Sequence, residues 1–188
     1  MMSGTSIQIR ARGRAARLLG RFGASRRGAT AVEFSLVALP FLALLFAVLE
    51  LGMVFLISTS LEDGTDDVAR RIRTGEMQSE GATAATFKQT LCDEVTLLND
   101  CDTRLKVDVR TFADFGDMDE VEEPIDEEGL FDDEATTFDP GGSEDIVLVR
   151  AYYKWNLITP LLNQGLSTLS DGSRLISTAV AFRNEPYE

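Results

Sequence analysis

The sequence predicts an α+β fold, in which a long N-terminal transmembrane helix extends into a small domain with helices packed on an antiparallel sheet of about three strands. Three observations predict this fold. An apolar run from Ala31 to Ile57 carries charge only at Glu33 and Glu50. Apolar residues then recur at helical spacing up to about residue 98. Three later segments have the alternation and the β-branched residues that are typical of strands.

The apolar run is long enough to cross a bilayer. It has 27 residues, whereas about 20 helical residues span the hydrocarbon core. Glu33 and Glu50 would lie about 25 Å apart along such a helix, near opposite membrane faces. Pro40 lies inside the run and predicts a helix kink. A cleaved secretory signal is the less favoured interpretation, because the run is too long and no clear Ala-x-Ala-like site follows it.

Charge is divided sharply along the chain. Residues 1–28 carry seven arginines and no acidic residue, which leaves 11 basic against 31 acidic residues in the remainder, a net charge of −20. Positive charge beside a membrane segment stays in the cytoplasm, so the sequence predicts a cytoplasmic N-terminus and an exported C-terminal domain. The arginines also fit a nucleic-acid patch, but only one aromatic residue, Phe22, lies among them, and base stacking usually requires several. We therefore expect no nucleic-acid partner.

Beyond the membrane segment the chain predicts further helices and strands. The first helix is expected to continue to Thr74-Gly75, a typical helix stop, and a second helix to extend from about Thr83 to Leu98. A short helix or compact turn is expected within residues 160–166. The predicted strands are Leu105–Phe112, Ile146–Trp155 and Arg174–Arg183.

The connection between the first two strands is strongly acidic. Residues 114–145 hold 15 acidic residues and no basic one, and their weak periodicity predicts a mobile acidic loop over 113–145. Five of these acids offer oxygen ligands for calcium, but the Asp-x-Asp-x-Asp-Gly pattern of a calcium loop is missing. We expect a solvated loop without a metal or cofactor. The five are Asp117, Asp119, Glu120, Glu122 and Glu123.

The cysteine and histidine content limits which covalent links, metal sites and catalytic arrangements the chain can form. Cys92 and Cys101 both lie in the part predicted to be exported, where disulfides persist, and we favour a disulfide over two unpaired thiols. Histidine is absent, which removes most zinc sites and every Ser-His or Cys-His arrangement. We expect no enzyme. Glycoside hydrolysis by paired carboxylates is disfavoured, because the acids cluster in a predicted loop.

The stretch Arg26-Arg27-Gly28-Ala29-Thr30-Ala31-Val32-Glu33-Phe34 joins the basic leader to the apolar run and resembles the processing site of type IV prepilins. Together with four further motifs, it makes the chain similar to the TadE-like family, which are minor pilins or pseudopilins of the tight adherence (Tad/Flp) pilus. The resemblance covers nearly all of residues 26–188 except the acidic loop. The further motifs are Leu39-Pro40 with Glu50-Leu51-Gly52, the stretch 67–75, Tyr153-Lys154-Trp155, and Arg183-Asn184-Glu185-Pro186-Tyr187.

The resemblance implies processing and a location. A membrane aspartyl prepilin peptidase (TadV/CpaA type) would cut between Gly28 and Ala29, which leaves Glu33 as the fifth residue of the mature chain. The domains would be a basic leader (1–28), a transmembrane assembly helix (29–60) and a periplasmic domain (61–188). The protein would cross the bacterial inner membrane once. Its partners would be that membrane, the peptidase, other Tad pilins and the pilus assembly platform.

Glu33 and Glu50 are the candidate assembly residues. Glu33 either pairs with the N-terminal ammonium of a neighbouring subunit and sets axial register, or only marks the membrane boundary. Glu50 either pairs with a partner helix or extends to the periplasmic interface. A second function class stays open, an exported, membrane-anchored binding module whose acidic loop captures cations or a basic partner.

Overall fold

The computed structural model describes residues 26–159 and 163–187, which fall into two units that divide between Phe46 and Ala47. Helix α1 (Arg26–Arg73) provides all of the described part of the first unit and continues into the second. A helix satisfies its own backbone hydrogen bonds, which suits a segment that meets no water. The helix continues through Pro40 without a break in its assignment, and the kink stays a prediction.

The end of α1 lies where the sequence predicts it. The last helical residue is Arg73, and the Gly75 N–H donates to the carbonyl of Ile72 at 3.0 Å. Gly75 has φ of 79°, a left-handed conformation that favours glycine. A Cβ at this position would lie 2.6 Å from the ring of Tyr187, so glycine is also required by space. A short helix, α2 (Glu76–Ser79), follows directly.

The predicted second helix is present but shorter than expected. Helix α3 (Ala84–Glu94) begins with a capping box, in which Thr83 and Thr86 exchange backbone and side-chain hydrogen bonds. It ends four residues before Leu98, because Val95 leaves the helical conformation, with ψ of 80°. Val95 and Leu98 are nevertheless buried, so their spacing reflects burial in the core and not helical structure. Helix α4 (Cys101–Arg104) follows.

The three predicted strands are confirmed with their bounds. Strands β1 (Leu105–Phe112), β2 (Ile146–Trp155) and β3 (Arg174–Arg183) form an antiparallel sheet in the order β1-β2-β3. Val149 is the centre of the register, opposite Val109 on one side and Val180 on the other. A short helix, α5 (Asn163–Leu166), lies between β2 and β3; residues 160–162 of the predicted turn are outside the described residues.

One face of the sheet packs on the helices of the second unit. Alternate residues of each strand point to this face, as the period of a strand requires. The result is a single hydrophobic core that joins α1, α3 and the sheet. Its members include Ile57, Leu61, Val68 and Ile72 of α1, Phe87 and Leu91 of α3, and Val147, Val149, Ala151, Tyr153 and Trp155 of β2.

The other face of the sheet is covered by the acidic connection. This connection contains a 3₁₀ helix (Phe115–Glu120), and Phe138 pairs with Val109 at the edge of β1. The ring of Phe131 contacts that of Tyr152, with centroids 5.4 Å apart. The acidic loop is therefore more structured than the sequence suggests, because a few apolar side chains between the acids pack on the sheet. Its mobility stays a prediction.

Candidate functional site

The predicted processing site lies within α1, at the N-terminal end of the described residues. The Gly28–Ala29 peptide bond is part of this helix. Gly28 is half-buried, and Ala29 and Glu33 are exposed on the helix surface. The structure thus places the three residues on one short, accessible stretch.

The helix that follows has an exposed apolar surface. Phe34 is 73% exposed and Leu39 72%, although both are large apolar side chains. A surface of this kind is stable in hydrocarbon and costly in water. Helix α1 is long and apolar enough to span a membrane. The other exposed apolar residues of the first unit include Val32, Leu36, Val37, Phe41, Leu42, Leu44, Leu45 and Phe46.

Glu50 is buried, with only 3% of its surface exposed. Trp155 donates its indole N–H to Oε1 at 3.1 Å. The backbone N–H of Ile158 lies 3.1 Å from both carboxylate oxygens, and Thr159 donates its N–H and its hydroxyl to Oε2, each at 3.0 Å. The segment after β2 therefore surrounds the carboxylate with donors. Hydrogen bonds from several groups to one carboxylate stabilise its charged form.

Residues 28–70 match the family model described as TadE-like protein. The resemblance to the TadE-like family is confirmed over this segment. The match lies wholly within α1 and includes Gly28, Glu33, Pro40 and Glu50. No curated protein and no solved structure matches the chain. The motifs at residues 153–155 and 183–187 lie outside the matched segment, and their resemblance stays a prediction.

Glu50, which lies in the TadE-like segment (residues 28–70), accepts hydrogen bonds that the sequence does not reveal. The sequence leaves a partner helix or the membrane interface as alternatives, and neither includes a contact within the chain. The observed donors lie 105 to 109 residues further along. The one available hint is Trp155, whose indole N–H requires an acceptor when it is buried. Ile158 gives no local signal, because it binds through its backbone, and the hydroxyl of Thr159 is common to every threonine.

A disulfide links helices α3 and α4. Cys92 of α3 is bonded to Cys101, the first residue of α4, with Cα atoms 5.8 Å apart. Both cysteines pack against the hydrophobic core. The bond holds the end of α3 close to the beginning of β1, so it stabilises the layer of helices and does not form part of a reactive site.

A buried ion cluster holds the acidic connection on the sheet. Asp108 of β1 accepts hydrogen bonds from Arg150 of β2 at 2.6 and 3.0 Å and from Arg110 at 3.0 Å. Arg150 also donates to the carbonyl of Glu122 at 3.0 Å, and the Thr137 N–H donates to Asp108 at 2.8 Å. Two points of the acidic connection are thereby fixed to this ion pair, Thr137 through Asp108 and Glu122 through Arg150.

Two groups on or next to this face of the sheet have shifted pKa values, Tyr152 and Asp171. Burial raises the pKa of Tyr152 to about 12, against the opposing charge of Arg150, which lies 5.6 Å from the ring centre. On the same sheet face Lys154 forms an ion pair with Asp171. Burial raises the pKa of Asp171, but hydrogen bonds from Lys154 and Ser173 outweigh burial and lower the pKa to about 2.

The acidic residues do not form a metal centre within the described part of the chain. No group of three or more Asp, Glu or Cys side chains there is arranged to hold a metal ion. Exposed acids of the connection, such as Glu122 and Glu123, instead point to solvent. The chemical features that stand out in and around residues 28–70 are therefore a predicted processing sequence, an apolar helix and a carboxylate surrounded by donors.

Proposed function

We propose that this chain is a membrane-anchored minor pilin or pseudopilin that serves in assembly of a Tad (Flp, type IV) pilus. The observation that carries the proposal is the match of residues 28–70 to TadE-like proteins, a family associated with minor pilin-like components of Tad pili. The matched residues form a helix with an exposed apolar surface. Such a helix supports a structural role, in which the chain positions other subunits and catalyses no reaction.

We propose that a prepilin peptidase of the TadV/CpaA type cuts between Gly28 and Ala29. Glycine before the cut lets the peptidase approach the backbone without a side chain in the way. The leader contributes seven arginines, which favour a cytoplasmic N-terminus in the inner membrane and a periplasmic second unit. The Cys92–Cys101 disulfide agrees with this orientation, because disulfides persist in the periplasm.

Cleavage gives Glu33 a partner. The new ammonium at Ala29 and the carboxylate of Glu33 carry opposite charges, and each is costly alone in hydrocarbon. Pairing between neighbouring subunits removes much of that cost and sets their axial register. We expect Glu33→Ala to weaken assembly more than cleavage. The exposed position of Glu33 on α1 leaves its carboxylate accessible to a neighbour.

The test is the intact mass and the N-terminal residue of the protein from its native membrane, with the peptidase present and absent. We expect a chain that starts at Ala29 only when the peptidase is present. Gly28→Ala should block this maturation. Gly52→Ala is the matched control, because a Cβ there meets nothing within 4 Å. An N-terminus at Met1 in both membranes would contradict the cleavage and favour a signal-anchored protein.

The binding-module alternative makes a different prediction. If the acidic connection binds divalent cations, calcium should raise the melting temperature of the full chain in detergent micelles. A role in assembly requires no such shift. We therefore expect the same melting temperature with and without millimolar calcium. A clear calcium-dependent rise would favour the binding module.

A further inference from the structure

The segment Trp155–Thr159 carries an exposed apolar side chain at the level of Glu50. Ile158 is 67% exposed, although its backbone N–H is fixed to the Glu50 carboxylate at 3.1 Å. The segment leaves the end of β2 and lies against α1, so it belongs to the second unit together with the helix residues around Glu50. A large apolar side chain is thus fixed in place without cover from the described residues.

The surroundings of this segment in the sequence are uncharged. No Asp, Glu, Lys or Arg occurs between Trp155 and Ser170, in a chain with 26% charged residues. The charged residues that border this stretch, Lys154 and Asp171, form an ion pair with each other. A solvated loop of an acidic domain would be expected to carry charge, so the absence of charge requires a physical reason.

The helix beside the segment is equally apolar at this level. Phe55 is 74% exposed, and Leu51 and Leu56 are about half exposed. The first charged residue after Glu50 is Glu62. Exposed apolar residues therefore continue along α1 for at least six positions after Glu50. Helix α1 is apolar enough to span a membrane, and a bilayer that covered these exposed residues would extend to about the level of Ile158.

We propose that Trp155–Thr159 is a second membrane contact, which enters the boundary between headgroups and acyl chains beside α1. The partner of this contact is lipid, because the exposed apolar side chain of the segment lies at the same height along α1 as the exposed apolar residues of that helix. The contact needs only that α1 spans a bilayer, and it does not depend on whether the chain is processed.

Glu50 makes this contact physically feasible. Backbone N–H groups that enter a bilayer must find acceptors within the protein. The carboxylate supplies them for Ile158 and Thr159, and it also accepts from the indole of Trp155, a residue type that favours the membrane interface. In return, the donors stabilise a carboxylate whose transfer to this depth would otherwise be unfavourable in free energy. The segment and Glu50 thus supply each other's hydrogen-bond partners.

The experiment measures lipid contact in the full chain reconstituted in lipid nanodiscs. Ile158→Cys and Leu97→Cys are each labelled with a polarity-sensitive fluorophore. Leu97 is the matched control, since it is an apolar residue, 43% exposed, next to the charged part of α1 around Asp63. Nitroxide lipids labelled near the headgroup and a water-soluble quencher are then compared at both positions.

We expect the nitroxide lipids to quench the label at position 158 several-fold more than the label at 97, and the water-soluble quencher to show the reverse order. If the water-soluble agent quenched the labels at positions 158 and 97 equally, the proposal would be overturned. Protection of position 158 from both quenchers would also overturn it, because a protein would then cover the segment.

A second measurement avoids any change near Glu50. Trp155 is the single tryptophan of the chain, so its fluorescence in the unmodified protein reports on this segment alone. We expect nitroxide lipids to reduce this fluorescence relative to nanodiscs of unlabelled lipid. If the fluorescence is unchanged, the segment is not at the bilayer and the proposal is wrong.

Discussion

Replacement of Asp108 by alanine tests whether the ion cluster fixes the acidic connection. Asp108 is 1% exposed, and the side chain of Arg150 is 10% exposed. The replacement leaves the Arg150 guanidinium buried without its carboxylate, and removal of one partner of such a pair costs about 3–5 kcal/mol. For a unit of this size that loss corresponds to a fall in the melting temperature of roughly 10–15 °C.

The assay is thermal unfolding of the full chain in detergent micelles, followed by circular dichroism. Asp133→Ala is the matched control, because Asp133 forms an ion pair with Lys106 at the surface, where its side chain is 63% exposed. Such pairs contribute about 0–1 kcal/mol. The double variant Asp108→Leu with Arg150→Met removes both charges and should recover much of the stability. If Asp108→Ala melts within a few degrees of the control, the cluster is not desolvated and the reasoning fails.

Three further predictions concern stability in the same assay. Gly75→Ala should lower the melting temperature more than Gly81→Ala, because both have positive φ but only Gly75 has the ring of Tyr187 at 2.6 Å; equal losses would show that the ring moves freely. Reduction of the disulfide should cost about 2–3 kcal/mol, and an unchanged melting temperature after complete thiol labelling would contradict this. Because the pKa of Asp171 is about 2 in the fold against 3.8 ordinarily, its contribution is present above about pH 4 and lost as pH falls towards 2. Asp171→Asn should therefore lose less stability over that range than the parent chain.

The elements that follow from local signals were predictable. The strands have the predicted bounds because β-branched and apolar runs such as Ile146–Trp155 end at turn residues on both sides. The end of α1 was predictable from Gly75, since glycine tolerates the left-handed conformation that a helix end requires. The end of α3 was not, because Val95 and Leu98 continue the apolar spacing while the backbone turns.

The long-range contacts were not predictable from one sequence. The order of the acidic connection depends on Phe131 and Phe138, whose irregular spacing among the acids gives no periodic signal. The ion cluster combines Asp108 and Arg150, 42 residues apart, and their pairing follows from the strand register and not from either strand alone. Composition could show that the region is acidic, but not which few side chains attach it to the sheet.

For a chain anchored in a bilayer as proposed, the donors around Glu50 connect protein folding with the position of α1 in that bilayer. Trp155, Ile158 and Thr159 follow Glu50 by 105 to 109 residues, so the carboxylate has no donors before β2 is in place. Until then Glu50 requires water, and the end of the apolar segment is drawn towards the aqueous side. Folding of the second unit therefore favours a position of α1 in which Glu50 lies deeper in the bilayer. By thermodynamic linkage, a bilayer that favours this deeper position stabilises the folded unit. A fluorophore at Leu51 should accordingly report a more polar environment when urea unfolds the second unit.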